Sequence, residues 1–176
     1  MLDTLERPTA DRAVQTSHSP TIRFATEDDI PAILSFIKEL AAYEELSHEC
    51  VATEAQLQHS LFGERRYAEV LLALDETTPV GFALFFHNYS TFLAKPGIYL
   101  EDLYVKPEQR GKGYGKALLK MLSEIAVERN CGRLEWSALD WNTPAIEFYK
   151  AKGAVAMDDW TVFRLTGDKL NALAQR

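Results

Sequence analysis

A run of alternating glycines in the middle of the chain is its clearest chemical feature. The loop comprises Arg110, Gly111, Lys112, Gly113, Tyr114, Gly115 and Lys116. Glycine lets the backbone turn its N–H groups toward a ligand, and the start of a following helix adds partial positive charge. Helix starts of this kind bind phosphate groups. The loop therefore indicates a phosphate site.

Two common phosphate-binding loops do not fit this sequence. A Walker loop requires serine or threonine after its lysine, whereas Ala117 follows Lys116. A dinucleotide-binding loop has the spacing GxGxxG directly after a strand, whereas this GxGxG run follows the connection 106–109. A helix start that is rich in glycine without binding a ligand is the third alternative. Glycines are unfavourable in ordered elements by roughly 0.5–1 kcal/mol each relative to alanine, which argues against it.

The loop and a later segment resemble the GNAT family of N-acetyltransferases. Residues 110–115 match the R-x-x-G-x-G loop that holds the pyrophosphate of acetyl-CoA. Residues 142–154 resemble the family element N-x-x-A-x-x-F-Y-x-x-x-G-F, with Ala154 where phenylalanine is commoner. The strand before the loop has the expected apolar and acidic pattern. The resemblance covers Thr21 to the C-terminus and implies acetyl-CoA as co-substrate.

Three further segments are similar to the diamine acetyltransferases, which act on spermidine, spermine or thialysine. These segments are 38–44, 99–105 and 141–144. The similarity implies a small primary amine as acceptor and a homodimer. Polyamine-specific members carry an acid and a tryptophan in the segment that corresponds to 88–92, which lacks both here. A shorter amine, such as a diamine, thialysine or a lysine-like amino acid, is at least as well supported. Acetylation of a protein lysine or N-terminus, and acyl-CoA binding without catalysis, remain alternatives.

Acetyl transfer to an amine requires two proton transfers. An alkylammonium has a pKa of about 10.4, so a base must remove a proton, and the departing CoA thiolate should receive one. Glu101 is the candidate base, directly or through water, because partial burial in an apolar strand would raise its pKa. The adjacent Asp102 faces the opposite side of a regular strand, so it is the secondary candidate unless a bulge intervenes. Tyr149 matches the tyrosine that the family places next to the CoA sulfur, which makes it the candidate acid.

The resemblance also implies binding residues. The pantetheine arm would pair with the end of the strand before the loop, as an added strand does, and basic loop residues would contact phosphates. Besides the loop, the cofactor residues are Leu103, Tyr104, Val105, Asn142, Ala145 and Tyr149. The acceptor residues are Tyr43, Glu44, Glu101, Glu135, Trp136 and Ser137, because acids and aromatic rings attract an ammonium.

Plain structural roles remain open for several of these residues. Tyr43 and Glu44 are also consistent with an ordinary helix end. Glu101 could be a solvent-facing strand residue with an ion-pair partner, and Tyr149 could be a core aromatic residue. Lys112 and Lys116 could be solvated surface cations.

The composition limits the classes of partner. A net charge of -7 and a pI of about 5.1 argue against a nucleic-acid partner and suit a cationic one. Cys50 and Cys131 form no disulfide framework or CxxC metal motif, which favours the reducing cytoplasm. The four histidines lack metal-ligand spacing, so no metal is expected. No apolar run approaches the roughly 18 residues that span a membrane.

Hydrophobic periodicity and turn residues predict the elements that position these groups. Strands are expected near 21–25, 67–74, 80–88, 97–105, 133–139 and 155–165. Helices are expected near 26–46, 53–62, 113–130, 142–152 and 167–174. This order predicts an α/β (α+β) fold with a mixed, mostly antiparallel sheet and helices on both faces, as in the GNAT family. Residues 21–176 are expected to form a single domain, and residues 1–20, without periodicity or an apolar core, a disordered tail.

Overall fold

The computed structural model describes residues 20–175. The predicted disordered tail lies, apart from Pro20, outside the described residues. The described residues fall into two compact units, divided after Ser137. The expectation that residues 21–176 form one domain therefore stays a prediction, and the two units are described separately.

The first unit carries five strands and three α-helices. In chain order these are β1 (Thr21–Phe24), α1 (Ile30–Tyr43), α2 (Glu54–Leu57), β2 (Glu69–Asp75), β3 (Thr78–Ser90), β4 (Lys95–Val105), α3 (Tyr114–Glu128) and β5 (Leu134–Trp136). A wider π turn over Gln58–Phe62 continues α2. The second unit contains α4 (Thr143–Lys150) and α5 (Gly167–Ala174).

The sheet has the strand order β1-β2-β3-β4-β5. The first three neighbouring pairs are antiparallel, and β4 and β5 are parallel. A parallel pair requires a long crossover, and α3 provides it between β4 and β5. The predicted mixed, mostly antiparallel sheet is confirmed.

Helices pack on both faces of this sheet, because alternate strand residues point to opposite sides. On one face Phe36 of α1 stacks on Phe82 of β3, with ring centroids 5.6 Å apart. On the other face α3 buries Leu118 and Leu122 completely. Phe85 points to this second face, since Arg129 after α3 lies over its ring. The predicted helices on both faces are confirmed.

A β-bulge interrupts the pairing of β3 and β4 at the two adjacent acids. Leu84 pairs with Asp102, but Phe85 pairs with Leu100, so Glu101 is the extra residue. An inserted residue reverses the alternation of side chains, which places Asp102 and Leu100 on opposite faces. Asp102 shares the α1 face with Tyr104, whose ring packs near Phe36. The strand is therefore irregular at Glu101, so the placement of Asp102 expected for a regular strand does not apply.

The start of α1 is fixed by an ion pair with β1. The helix predicted from Thr26 begins as a 3-10 turn over Glu27–Asp29, and α1 follows from Ile30. Asp29 is buried and accepts two hydrogen bonds from the guanidinium of Arg23, at 2.7 and 2.8 Å. Its carboxylate also accepts the N–H of Thr26, which caps the helix start.

The strand predicted at 155–165 is wrong. This segment forms no strand, and Trp160 N–H closes a turn on the carbonyl of Met157. Its apolar side chains are exposed, with Val162 at 80% and Phe163 at 90%. A strand requires a neighbour that accepts and donates its backbone hydrogen bonds, and the second unit offers this segment none among its described residues.

Candidate functional site

The glycine loop joins the end of β4 to the start of α3, as predicted. Gly111 and Gly113 have φ angles of 78° and 93°, in the left-handed region that favours glycine. Gly113 is the N-cap of α3, and Gly115 lies in its first turn. The first N–H groups of a helix have no intrahelical acceptor, so this turn presents donors toward the loop. The loop therefore has the geometry of an anion cradle.

Tyr114 contributes to this loop only through its backbone. Its side chain is buried, and its pKa is raised by burial and by a hydrogen bond with Asp75. The loop cations Lys112 and Lys116 are exposed, and Lys112 Nζ donates to Gln109 Oε1 at 2.7 Å. Positive charge is thus available at the surface of the cradle while the aromatic ring anchors the helix.

The end of β4 presents an open backbone edge. β5 pairs with β4 only as far as Leu100, which lies opposite Trp136. β4 continues to Val105, and within residues 20–175 no strand pairs with 101–105 on that side. Leu103 and Val105 are half-buried here. An extended amide chain fits such an edge by strand addition.

Burial near the acids falls on Asp102 rather than on Glu101. Glu101 is exposed at the bulge. The pKa of Asp102 is raised to about 6, first by burial and then by the charges of Glu101 and Glu44. Burial also raises the pKa of Glu44, which follows the last residue of α1. The expected burial of Glu101 is therefore corrected, because the bulge turns its neighbour under α1 instead.

Tyr104 faces α1 and is engaged there. Its hydroxyl donates to Glu39 Oε2 at 3.1 Å, and its pKa is raised to about 12, first by burial and then by Glu39. The side chain of Tyr104 is thus occupied in packing against α1, and its backbone pairs with Phe82 of β3. Sequence reasoning missed Glu39, although it lies one helical turn before Tyr43 on the same helix.

Arg110 and Tyr43 are in direct contact. The guanidinium carbon of Arg110 lies 4.7 Å from the centroid of the Tyr43 ring and 5.8 Å from that of Tyr104. Arg110 Nε donates to the carbonyl oxygen of Val105 at 3.0 Å. A residue predicted for the phosphates therefore touches one predicted for the acceptor.

The three residues predicted for the acceptor at and after β5 have different environments. Glu135 forms an ion pair with Arg133 at 2.7 Å and accepts a hydrogen bond from Asn88 Nδ2 at 2.6 Å. Trp136 is half-buried beside Leu100. Ser137 follows the strand, and its hydroxyl lies 2.8 Å from that of Tyr99, within hydrogen-bond distance.

In the second unit, α4 confirms the predicted short helix. Asn142 is its N-cap, and its Oδ1 accepts the N–H of Ala145 at 3.4 Å. Tyr149 is half-buried, with its ring centroid 5.3 Å from that of Phe148 in an edge-on arrangement. Gly153, with a φ of 88°, follows the helix.

The described residues show two further facts about possible partners. Between residues 20 and 175, no group of three His, Cys, Asp or Glu side chains is placed to hold a metal ion. None of the described helices combines the length and apolarity that a membrane crossing requires. A depression of about 340 Å³, lined by Glu27, Asp28, Ile30, Pro31, Glu54 and Gln58, contains none of the predicted site residues.

The mixed five-stranded sheet and the glycine loop between β4 and α3 agree with the predicted GNAT fold. Residues 34–154 match the Acetyltransferase (GNAT) family, and the chain belongs to this family. It is therefore an acetyltransferase, and acetyl-CoA is the co-substrate of the family.

Named relatives support the same family and the predicted diamine group. The chain is 39% identical to the Thialysine N-epsilon-acetyltransferase of Bos taurus, over 87% of this chain and 96% of that protein. It is 35% identical to the L-ornithine N5-acetyltransferase NATA1 of Arabidopsis thaliana, over 86% of each. The solved structure of an integron cassette protein from the mobile metagenome of V. cholerae matches with a TM-score of 0.76. That match has 30% identity and covers 90% of this chain and 99% of the other.

Proposed function

We propose that this enzyme transfers the acetyl group of acetyl-CoA directly to a primary amine of a small cationic acceptor. Diamines, polyamines, thialysine and ornithine-like amino acids are the candidate acceptors. The observation that carries this proposal is the acidic group formed by Glu44, Glu101 and Asp102, close to the open end of β4. Adjacent carboxylates, two of them half-buried, favour a cation, which relieves their mutual repulsion.

The proposed cofactor residues follow from the geometry of the first unit and from the family resemblance. The first turn of α3 and the cations of the loop would hold the pyrophosphate. The open edge at 101–105 would pair with the amides of the pantetheine arm. From the second unit, we propose Asn142, Ala145 and Tyr149 as further cofactor residues, on the family resemblance. When bound, acetyl-CoA supplies the acetyl group as a thioester.

Two residues are proposed to move protons. Glu101 takes a proton from the acceptor ammonium, directly or through water, and the neutral amine then attacks the thioester. The nitrogen loses its second proton to solvent as the new N–C bond forms. Tyr149 gives its phenolic proton to the sulfur as the C–S bond breaks, and the phenolate is reprotonated from solvent. No covalent acyl-enzyme is required, because the amine attacks the thioester directly.

The proposed acceptor residues favour a short amine. Tyr43 and Glu44 supply an aromatic ring and a carboxylate at the end of α1. On β5 we propose Trp136 and Ser137 together with Glu135, whose carboxylate already has Arg133 as its partner. A long polyamine would need a further acid for its distant ammonium groups, and residues 88–92 contain none.

A homodimer in the cytoplasm completes the proposal. The exposed apolar side chains of 155–165, among them Trp160 and Phe163, form a surface that a second copy could cover. Cys50 and Cys131 are both free thiols, as is usual in a reducing compartment. Light scattering on the purified protein measures the oligomeric state; a monomer at micromolar concentration would contradict the dimer.

A thiol-release assay tests the proposed function. Wild-type enzyme with acetyl-CoA is offered diamines, polyamines, thialysine, ornithine, neutral amino acids and lysine peptides. We expect release of CoA with the short cationic amines and none above background with neutral amino acids. Activity on peptides alone would indicate a protein acetyltransferase, and CoA binding without turnover on any acceptor would indicate a binding module.

A further inference from the structure

The contact between Arg110 and Tyr43 joins two parts of the site that the sequence treats separately. Arg110 belongs to the phosphate loop, and Tyr43 is the last residue of α1. The guanidinium lies 4.7 Å from the ring centroid, within the range of a cation–π interaction. At the same time, the hydrogen bond from Arg110 Nε to the carbonyl oxygen of Val105 holds the guanidinium against β4.

This arrangement leaves part of the guanidinium available for phosphate. Stacking uses the planar face of an arginine side chain, whereas its N–H groups lie along the edge. The single Nε–H is directed to Val105, and the terminal nitrogens carry the remaining donors. Arg110 can therefore contact a phosphate while its face remains on Tyr43.

We infer that Arg110 is a positioning residue that couples the phosphate loop to the acceptor pocket by holding Tyr43. The inference rests on the proposed function, because it takes Tyr43 and the adjacent Glu44 as acceptor residues. A phosphate that immobilises Arg110 also immobilises the ring stacked on it, so cofactor and acceptor each strengthen binding of the other. Linkage requires this effect to be equal in both directions.

Calorimetry of CoA binding tests the contact without any acceptor. Tyr43→Leu removes the ring, and we expect CoA affinity to fall about two- to fivefold, the range of an exposed cation–π contact. Tyr43→Phe keeps the ring and should bind CoA within twofold of wild type. Equal or tighter binding of CoA by Tyr43→Leu would overturn the inference, because Arg110 would then leave the ring when phosphate binds.

A double-variant comparison separates coupling from general loosening of the fold. Arg110→Ala removes the guanidinium, so adding Tyr43→Leu to it should weaken CoA binding no further. Lys112→Ala removes a loop cation outside the contact, and its effect should add to that of Tyr43→Leu. Additive effects in the Arg110→Ala background would contradict the coupling. Urea midpoints of all variants check that the fold is intact.

Kinetics give the reciprocal measurement. At saturating acetyl-CoA, Arg110→Ala should raise the acceptor KM about two- to fivefold, a larger change than that in kcat. An unchanged acceptor KM would overturn the inference. If wild-type enzyme acetylates no amine, the proposed function fails, while the CoA measurements still decide whether the Arg110 contact contributes to binding.

Discussion

Replacing Asp102 by asparagine should stabilise the fold at neutral pH. Its pKa is raised from 3.8 to about 6, first by burial and then by Glu101 and Glu44. The folded protein therefore holds this proton more tightly than the unfolded chain, so stability falls as the pH rises from about 4 to about 6. Above that range the ionised carboxylate lowers the free energy of unfolding by about 3 kcal/mol. Asparagine has nearly the same shape and no charge to desolvate.

Urea unfolding at two pH values measures this effect. We expect Asp102→Asn to raise the free energy of unfolding by about 3 kcal/mol at pH 7.5 and by about 1 kcal/mol at pH 4.5. The corresponding rise in Tm at pH 7.5 is roughly 6–12 °C for a chain of this size. Glu108→Gln is the control, because Glu108 is exposed and its substitution should change stability by about 0.5 kcal/mol or less.

Two results would refute the reasoning about Asp102. A variant that is no more stable than wild type at pH 7.5 would show that the carboxylate is not destabilising there. A gain of the same size at both pH values would show that charge is not its cause.

The dependence of kcat/KM on pH adds a test of catalysis. If Glu101→Gln keeps the fall in kcat/KM at acidic pH and Asp102→Asn loses it, Asp102 rather than Glu101 is the base.

Three further substitutions test other parts of the structure. The hydrogen bond from Arg23 lowers the pKa of Asp29 to about 2. The ionised carboxylate therefore stabilises the fold above about pH 4, and this contribution is lost as the pH falls toward 2. Asp29→Asn should therefore lower the free energy of unfolding by about 2 kcal/mol at pH 7 and by almost nothing near pH 2, measured by urea titration. Gly113→Val forces a branched residue into a φ of 93°, which should weaken CoA binding about tenfold by calorimetry; unchanged affinity would contradict the cradle. Tyr149→Phe should lower kcat about 100-fold with CoA affinity nearly unchanged, and a loss confined to affinity would remove its role as acid.

The sequence predicted a helix or strand correctly where the apolar pattern of the segment itself matches the burial of its residues. The apolar stripe of α1 marks the side that faces the core, and the continuous apolar run of β2 marks a strand that is buried on both faces. The sequence therefore predicts both elements within a few residues. The segment 155–165 has similar apolar content but remains exposed. Its structure depends on whether another chain segment pairs with it, and no local pattern carries that information.

The same distinction applies to the site. Gly111 and Gly113 were predictable, because a left-handed backbone is a property of the residue itself. The half-buried position of Asp102 could not be predicted from the sequence, because it depends on a register shift of one residue within an apolar strand. The contact of Arg110 with Tyr43 joins distant parts of the chain, and only the packing of α1 beside the end of β4 brings them together.

The bulge at Glu101 lies between the open edge of β4, proposed for the cofactor arm, and the acids near α1, proposed for the acceptor amine. Pairing with β5 ends at Leu100, immediately before the extra residue, so the open edge of β4 begins where the bulge lies. The same extra residue turns Asp102 toward α1 and Glu44. Without it, Asp102 would lie on the α3 face with Leu100, away from the end of α1. One inserted residue thus places a half-buried carboxylate next to the edge that we propose for the cofactor arm.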